Sequence, residues 1–238
     1  MRIVTGGDDG RVYLWCLSTG KLLRKFGRMW GPGHRKRVNA VAVPPGQSTV
    51  VSASDDKTVR VWGVHDGQCT ATLKGHEGGL RCLGYSENGK ILAYGDDQGL
   101  VYICNPSDME LKHTIPISGG GCITGLAFHD ENLVICSNRS PITVCNWKSG
   151  ECKLRFSCHA SYVHSMAIFP GGQRLLTGAQ DNTVRVWNLI SGECEHVSRM
   201  HTGWVRSVVM SYDGRTVVSG SDDGSIMIWA LISEGAQR

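Results

Sequence analysis

From Val38 onward the chain repeats one pattern of apolar runs and polar breaks. Each repeat opens on a run that is nearly all apolar, with small residues between the large ones: VNAVAV from Val38, LRCLGY from Leu80, ITGLAF from Ile123, VHSMAIF from Val163 and VRSVVM from Val205. A run with no polar face predicts a strand buried on both sides, an inner strand clamped between neighbouring sheets. A turn such as PPGQ, PGGQ or YDGR leads to a second run (TVVSAS, ILAYG, LVICS, RLLTGA or TVVSGS). A tight Asp/Gly turn then opens a third, where β-branched residues dominate: TVRVW, LVYIC, ITVCN, TVRVW and SIMIW. The fourth run, such as CTATLKG from Cys69, is more polar and reads as the edge strand of an outer rim.

Polar residues keep the same phase. His34, Ser52, Asp56 and Trp62 lie at offsets 0, 18, 22 and 28; the same offsets from His159 give Thr177, Asp181 and Trp187, and from His201 give Ser219, Asp223 and Trp229. The Trp phase falls at Trp15, Trp62, Cys104, Cys145, Trp187 and Trp229, in steps of 47, 42, 41, 42 and 42 residues. The long first step is an insertion around residues 29–33. A period of about 40–45 residues with a Gly-His and a Trp in each unit is the repeat signature of a β-propeller.

The expected fold is therefore all-β, a β-propeller of four-stranded antiparallel blades with about six blade-equivalents, the first and last incomplete. Residues 1–238 read as a single domain: a partial blade 1–29, full repeats 33–75, 76–117, 118–158 and 159–200, and a partial blade 201–238. The terminal gaps do not complement each other. The expectation is a fragment or truncated gene product, against a ring left open or patched by a partner.

Four polar side chains from different strands can close one chain of donors and acceptors inside a sheet: indole N–H, hydroxyl, imidazole and carboxylate. Each bond contributes about 1 kcal/mol net, whereas a buried partner left unsatisfied costs about 1–3 kcal/mol. Ser, His and Asp also invite a hydrolase reading. The structural reading is preferred: the set recurs with a Trp attached, and no GxSxG elbow is present.

Composition narrows the rest. With 31 glycines the chain suits many short turns, and its net charge of +4 gives no bulk drive toward nucleic acid or anionic membrane. Charge is uneven, however: Arg24, Lys25, Arg28, Arg35, Lys36 and Arg37 share one segment with Trp30. No apolar leader precedes Asp8 and no run is long enough to span a bilayer, so the expected location is intracellular, cytoplasmic or nuclear. Ten cysteines then read as reduced, buried thiols. A zinc site from Cys145, Cys152, Cys158 and His159 is set aside because no CxxC pair occurs. No cofactor or metal is expected.

Gly33-His34 with Trp62, Gly75-His76, His159 with Trp187, His201 with Trp229, and the runs SASDDKTVRVW, GAQDNTVRVW and GSDDGSIMIW together resemble the WD-repeat (WD40) β-propeller family over the whole chain. Departures are also visible. The second full unit keeps His76 but has Tyr94, Gln98 and Cys104 at the other phases, and the third has Ile117, Ile135, Arg139 and Cys145; both are expected to rely on apolar packing and on their neighbours. The residue after the repeat Trp is never Asp.

The resemblance implies a non-catalytic scaffold or adaptor that binds protein partners within a multiprotein complex, with no small-molecule substrate. It implies a contact face made of the loops before the inner strand and between the second and third strands. By phase these carry Arg37, Asn39, Arg81, Tyr162, His164, Trp204 and Arg206, with Asp55, Asp97 and Asp222 beside them. Arg and Trp are frequent binding anchors, and the foremost patch is Tyr162, Trp204, Arg206 and Arg37. The alternative reading of Tyr162 and Trp204 is packing against adjacent loops. Two other functions stay open: an RNA-associated subunit using the basic loop 24–37, and a substrate receptor of a ubiquitin ligase. Against the latter, the third residue after the Trp is Ser18, His65, Ile190 or Ile232, not the Arg that such propellers use.

Overall fold

The computed structural model describes residues 2–27, 31–44, 46, 48–138, 141–159 and 161–230. These hold 22 strands and no helix, and the chain divides into two compact units, Met1–Asp130 and Glu131–Arg238. Arg28, Trp30 and Arg139, singled out above, lie outside the described residues.

In the first unit, β1 (Arg2–Gly6), β2 (Val12–Cys16) and β3 (Leu22–Phe26) form a three-stranded sheet. Two four-stranded sheets follow. One holds β4 (Val38–Ala42), β5 (Thr49–Ser54), β6 (Val59–Gly63) and β7 (Cys69–Leu73); the other holds β8 (Leu80–Tyr85), β9 (Leu92–Asp96), β10 (Leu100–Asn105) and β11 (Glu110–Pro116). The unit ends with β12 (Ile123–His129), which packs on β8.

In the second unit, β13 (Asn132–Ser137), β14 (Ile142–Asn146) and β15 (Cys152–Phe156) pair in that order. Next come a four-stranded sheet of β16 (Val163–Ile168), β17 (Arg174–Ala179), β18 (Val184–Asn188) and β19 (Cys194–Ser198), and a three-stranded one of β20 (Val205–Met210), β21 (Thr216–Ser221) and β22 (Ile226–Ala230). All the described pairings are antiparallel, as short turns between consecutive strands require.

The core lies between sheets rather than inside any one of them. Val51, Val59, Val61, Leu80, Leu92 and Tyr94 form one cluster between two sheets of the first unit; Leu176, Val184, Val186, Val205, Val208 and Val217 form its counterpart in the second. The small residues of the second strands are notches. A Cβ on Gly95 would lie 2.5 Å from Ile123 Cγ2, and one on Gly178 would lie 2.6 Å from Val205 Cγ1. The neighbouring inner strand is seated in the space that a side chain would fill.

Two β-bulges recur in the same phase. One interrupts the pairing of inner and second strands between Val38 and Ala40, Leu80 and Cys82, Val163 and Ser165, and Val205 and Ser207. Another falls just before the Trp phase, as at Val61/Trp62 and Val186/Trp187. A bulge leaves its extra residue out of the ladder and re-aims it. The first bulge therefore frees Asn39, Arg81, His164 and Arg206.

Candidate interaction surface and the polar circuits beneath it

The Trp187 indole N–H donates to Thr177 Oγ1 at 2.8 Å, His159 Nε2 lies 2.8 Å from the same oxygen, and His159 Nδ1 lies 2.8 Å from Asp181 Oδ2. A carboxylate only accepts, so Nδ1 carries the proton and Nε2 accepts from the Thr177 hydroxyl. The other two sets repeat this order. His34 Nε2 meets Ser52 at 2.7 Å and Trp62 donates to it at 2.8 Å; His201 Nε2 meets Ser219 at 2.7 Å and Trp229 donates at 3.2 Å. His34 and His201 meet Asp56 and Asp223 at 3.0 and 2.9 Å.

A fifth member joins each set without being part of the expected constellation. Thr58, Thr183 and Ser225, two residues beyond the Asp, donate hydroxyls to its Oδ1 at 2.6, 2.6 and 2.5 Å. An Asp-x-Thr/Ser spacing is the signal in the sequence that points to it. Burial alone would raise the Asp56 and Asp181 carboxyls; hydrogen bonds from His34 and Thr58, and from Thr183 and His159, hold both below the usual range. The hydrogen bond from Ser225, against burial, does the same for Asp223. Burial pulls the His159 imidazole below its ordinary value, which keeps it neutral. The three sets have the connectivity of a hydrolytic triad. Ser52, Thr177 and Ser219 are buried, however, and each oxygen is occupied by an indole N–H. These circuits hold strands together.

The sheet β8–β11 adds polar contacts of its own to apolar packing and to its neighbour, whose Lys57 carbonyl lies 2.8 Å from His76 Nδ1. The Tyr94 hydroxyl lies 3.2 Å from His76 Nε2, reaching the point where a Ser stands elsewhere. The Lys57 carbonyl stands where the carboxylate does elsewhere, and fully buried Asp96 is satisfied separately: Tyr102 donates to its Oδ2 at 3.1 Å, and the Gln98 and Leu100 amides to its Oδ1 at 2.9 and 2.8 Å. Tyr94 and Tyr102 stack at 5.1 Å. Tyr94 stands in the Ser phase of its sheet and serves His76, while Tyr102 on the next strand serves Asp96.

Above the circuits, one backbone bond per sheet fixes the candidate contact residues. Asp55, Asp97, Gln180 and Asp222 donate their amides to the carbonyls of Arg37, Gly79, Tyr162 and Trp204 at 2.8–3.1 Å. This holds the loop before the inner strand against the turn after the second strand. In the first unit, Arg37 pairs with Asp8 at 2.7 Å, and Asn39 is spent on Asp55 Oδ1 and the Leu80 carbonyl at 2.6 and 2.8 Å. Arg81 bridges Asp55 at 3.0 Å and Asp97 at 3.5 Å, beside a polar cleft of about 370 Å³ that Lys36, Lys57 and Glu77 also line.

In the second unit a stacked ladder forms. The Arg206 guanidinium lies 4.8 Å from the Trp204 ring centroid and donates twice to Asp222, at 2.8 and 2.6 Å. His164 stacks on Trp204 at 6.1 Å, and Tyr162 follows at 6.4 Å from His164. Burial and then the Arg206 charge push the His164 imidazole down. Tyr162 and Trp204 are each 40% exposed. Three of the four foremost residues are thus one surface, joined by His164 and Asp222, while Arg37 belongs to the first unit.

Other expectations change in detail. Cys194 is exposed, and Cys16, Cys69 and Cys152 are only partly buried, because the turn before an outer strand stands at the rim; Cys122, partly buried too, lies at the entrance of β12. Cys145, Cys152, Cys158 and His159 do not converge: the Cys158 thiol points to Thr177 Oγ1 at 3.8 Å, and His159 is held as above. Within the basic segment, Arg24 is tied to the His65 carbonyl at 2.8 Å.

Repeated antiparallel blades whose strands are locked by a Trp–Ser/Thr–His–Asp circuit define an all-β propeller, with six mainly four-stranded blades among the described residues. The profile of the WD domain, G-beta repeat (WD40) matches residues 20–63, 67–105, 150–188 and 192–230, more than half of the sequence. The chain belongs to the WD40 family. The unmatched stretch between residues 105 and 150 is where the sequence lacks all four circuit residues.

Among similar proteins, apoptotic protease-activating factor 1 of Rattus norvegicus is 28% identical over 74% of this chain and 14% of its own length. Pre-mRNA-processing factor 19 of Mus musculus is 28% identical over 70% of this chain and 33% of its own. Telomerase protein component 1 of Rattus norvegicus is 29% identical over 77% of this chain and 7% of its own. The chain thus spans a third or less of the length of these relatives.

Proposed function

We propose that this chain is a non-catalytic platform that binds protein partners within a larger assembly, and that Tyr162, His164, Trp204, Arg206 and Asp222 are its principal contact surface. The observation that carries the reading is the Trp204–Arg206 stack with its bidentate bond to Asp222. Rigid, half-exposed aromatic and Arg groups lose little freedom on binding and lead interface hot spots. The relatives support the class of function by name alone, one being a component of telomerase. Ten cysteines held as thiols suit a reducing compartment, the cytoplasm or the nucleus.

Parallel affinity purification of the parent chain and of Trp204→Ala and Arg206→Ala from the source cells tests the assignment. Loss of a partner that the parent retains, with unchanged melting temperature, is the expected result. A partner set identical across all three overturns the contact surface. Recovery of RNA in place of protein overturns the class of partner.

A further inference from the structure

The bulge before the Trp phase sets that residue opposite the first residue of the outer strand: Trp62 faces Cys69, Trp187 faces Cys194, and Cys145 faces Cys152. Only in the last of these does a cysteine stand in the Trp phase, and there two thiols meet. Their sulfurs are 2.9 Å apart. Cys145 is buried and Cys152 partly exposed, with Arg155 Nη2 3.3 Å from the Cys152 sulfur. Facing residues of an antiparallel pair have Cα atoms about 4.5–5.5 Å apart, within the roughly 4.4–6.8 Å that a disulfide requires.

We propose that Cys145 and Cys152 are a reversible oxidation site, closing to a cross-strand disulfide between β14 and β15 when a peroxide reaches Cys152. The Cys152 sulfur, as the anion, attacks the O–O bond of hydrogen peroxide beside the Arg155 cation. An S–O bond forms, the O–O bond breaks, hydroxide leaves, and Cys152 becomes a sulfenic acid. The Cys145 sulfur then attacks that sulfur. The S–S bond forms, the S–O bond breaks, and the Cys145 proton departs with the hydroxyl as water. In total the two thiols lose two electrons and two protons, and peroxide is reduced to two waters. A dithiol reductant reverses the change by exchange.

The roles follow from the surroundings. Burial, reinforced by the contact with Cys152, pushes the Cys145 thiol up to about 12, so it stays protonated and acts second. Cys152 has both the access and the cationic neighbour. Cys69 and Cys194 face a tryptophan and have no thiol opposite them.

Peptide mapping of the full chain under non-reducing conditions, before and after hydrogen peroxide, tests this. Trypsin cuts after Lys148 and separates the two cysteines. The expected result is a peptide ending at Lys148 joined to the one ending at Lys153, appearing with peroxide and lost with dithiothreitol. Cys152→Ser abolishes it, and Arg155→Gln slows its appearance severalfold. Exposed Cys194 is the internal control: its oxidation without the joined peptide overturns the proposal. So does Cys152 advancing to the sulfinic acid while Cys145 remains alkylatable in the unfolded chain. Should a variant fail to fold, alkylation of the parent chain by itself still distinguishes joined from separate peptides.

Discussion

The Trp187 indole N–H donates to the Thr177 hydroxyl at 2.8 Å, and that bond fixes the direction of every other in its circuit. An indole can only donate, so the Thr177 oxygen accepts there and turns its own hydrogen to His159 Nε2. His159 then offers Nδ1–H to Asp181. No member has a spare donor or acceptor to trade.

Removing the Thr177 hydroxyl strands two buried groups at once. Thr177→Val is expected to destabilise the chain by about 1–3 kcal/mol, while Thr177→Ser, the residue used by the other two circuits, keeps the bonds and loses only a buried methyl, about 0.5–1.5 kcal/mol. Urea unfolding followed by tryptophan fluorescence checks both.

Acid should weaken the fold in two windows of the same sign. Burial depresses the His159 imidazole below its ordinary 6.5, so below that pH the unfolded chain takes up a proton that the folded chain refuses. Asp56, Asp181 and Asp223 ionise below the usual 3.8 when folded. Their contribution is complete above the unfolded value and is lost as pH falls through the folded values. Unfolding free energy measured from about pH 8 to about pH 2 should fall first gently, then steeply. Asp181→Asn flattens the lower limb.

The sheet β8–β11 offers a contrast between two tyrosines. Tyr102→Phe leaves one oxygen of fully buried Asp96 without its donor and should cost about 1–3 kcal/mol. Tyr94→Phe breaks a neutral bond to His76, whose other nitrogen stays on the Lys57 carbonyl at 2.8 Å. It should cost about 0.5–1.5 kcal/mol. Equal losses would show that Asp96 finds another donor.

A methyl group at position 178 is expected to cost about 1–3 kcal/mol, because Val205 and Val208 lie 2.6 and 2.8 Å from where it would sit. Gly220, in the same phase of the last described sheet, has no such neighbour within 4 Å. Gly220→Ala should leave the melting temperature unchanged.

The repeat and the apolar runs made the 22 strands legible, because two-sided burial and β-branched residues reinforce one another over short segments. Phase alone also found all three circuits, since His34, Ser52, Asp56 and Trp62 recur at fixed offsets. Asp96 escaped it, because it lies two residues before the Asp phase, where Gln98 stands, and its donor Tyr102 lies two residues before the Trp phase. Phase also named the candidate contact residues, but not their pairing. Nothing in the spacing says that Asn39 would be consumed by Asp55, or that Arg206 would lie over Trp204 instead of reaching away. Those outcomes depend on how each bulge aims its extra residue, which neither spacing nor hydropathy carries.

The notch at Gly178, filled by Val205 of the following sheet, has a bearing on how the chain is made. On a ribosome, a newly finished sheet shows an oily wall until roughly another 42 residues have emerged to cover it. Throughout synthesis some freshly completed sheet waits uncovered for its successor, and a chaperone that shields such a surface would be needed again at every step of the repeat.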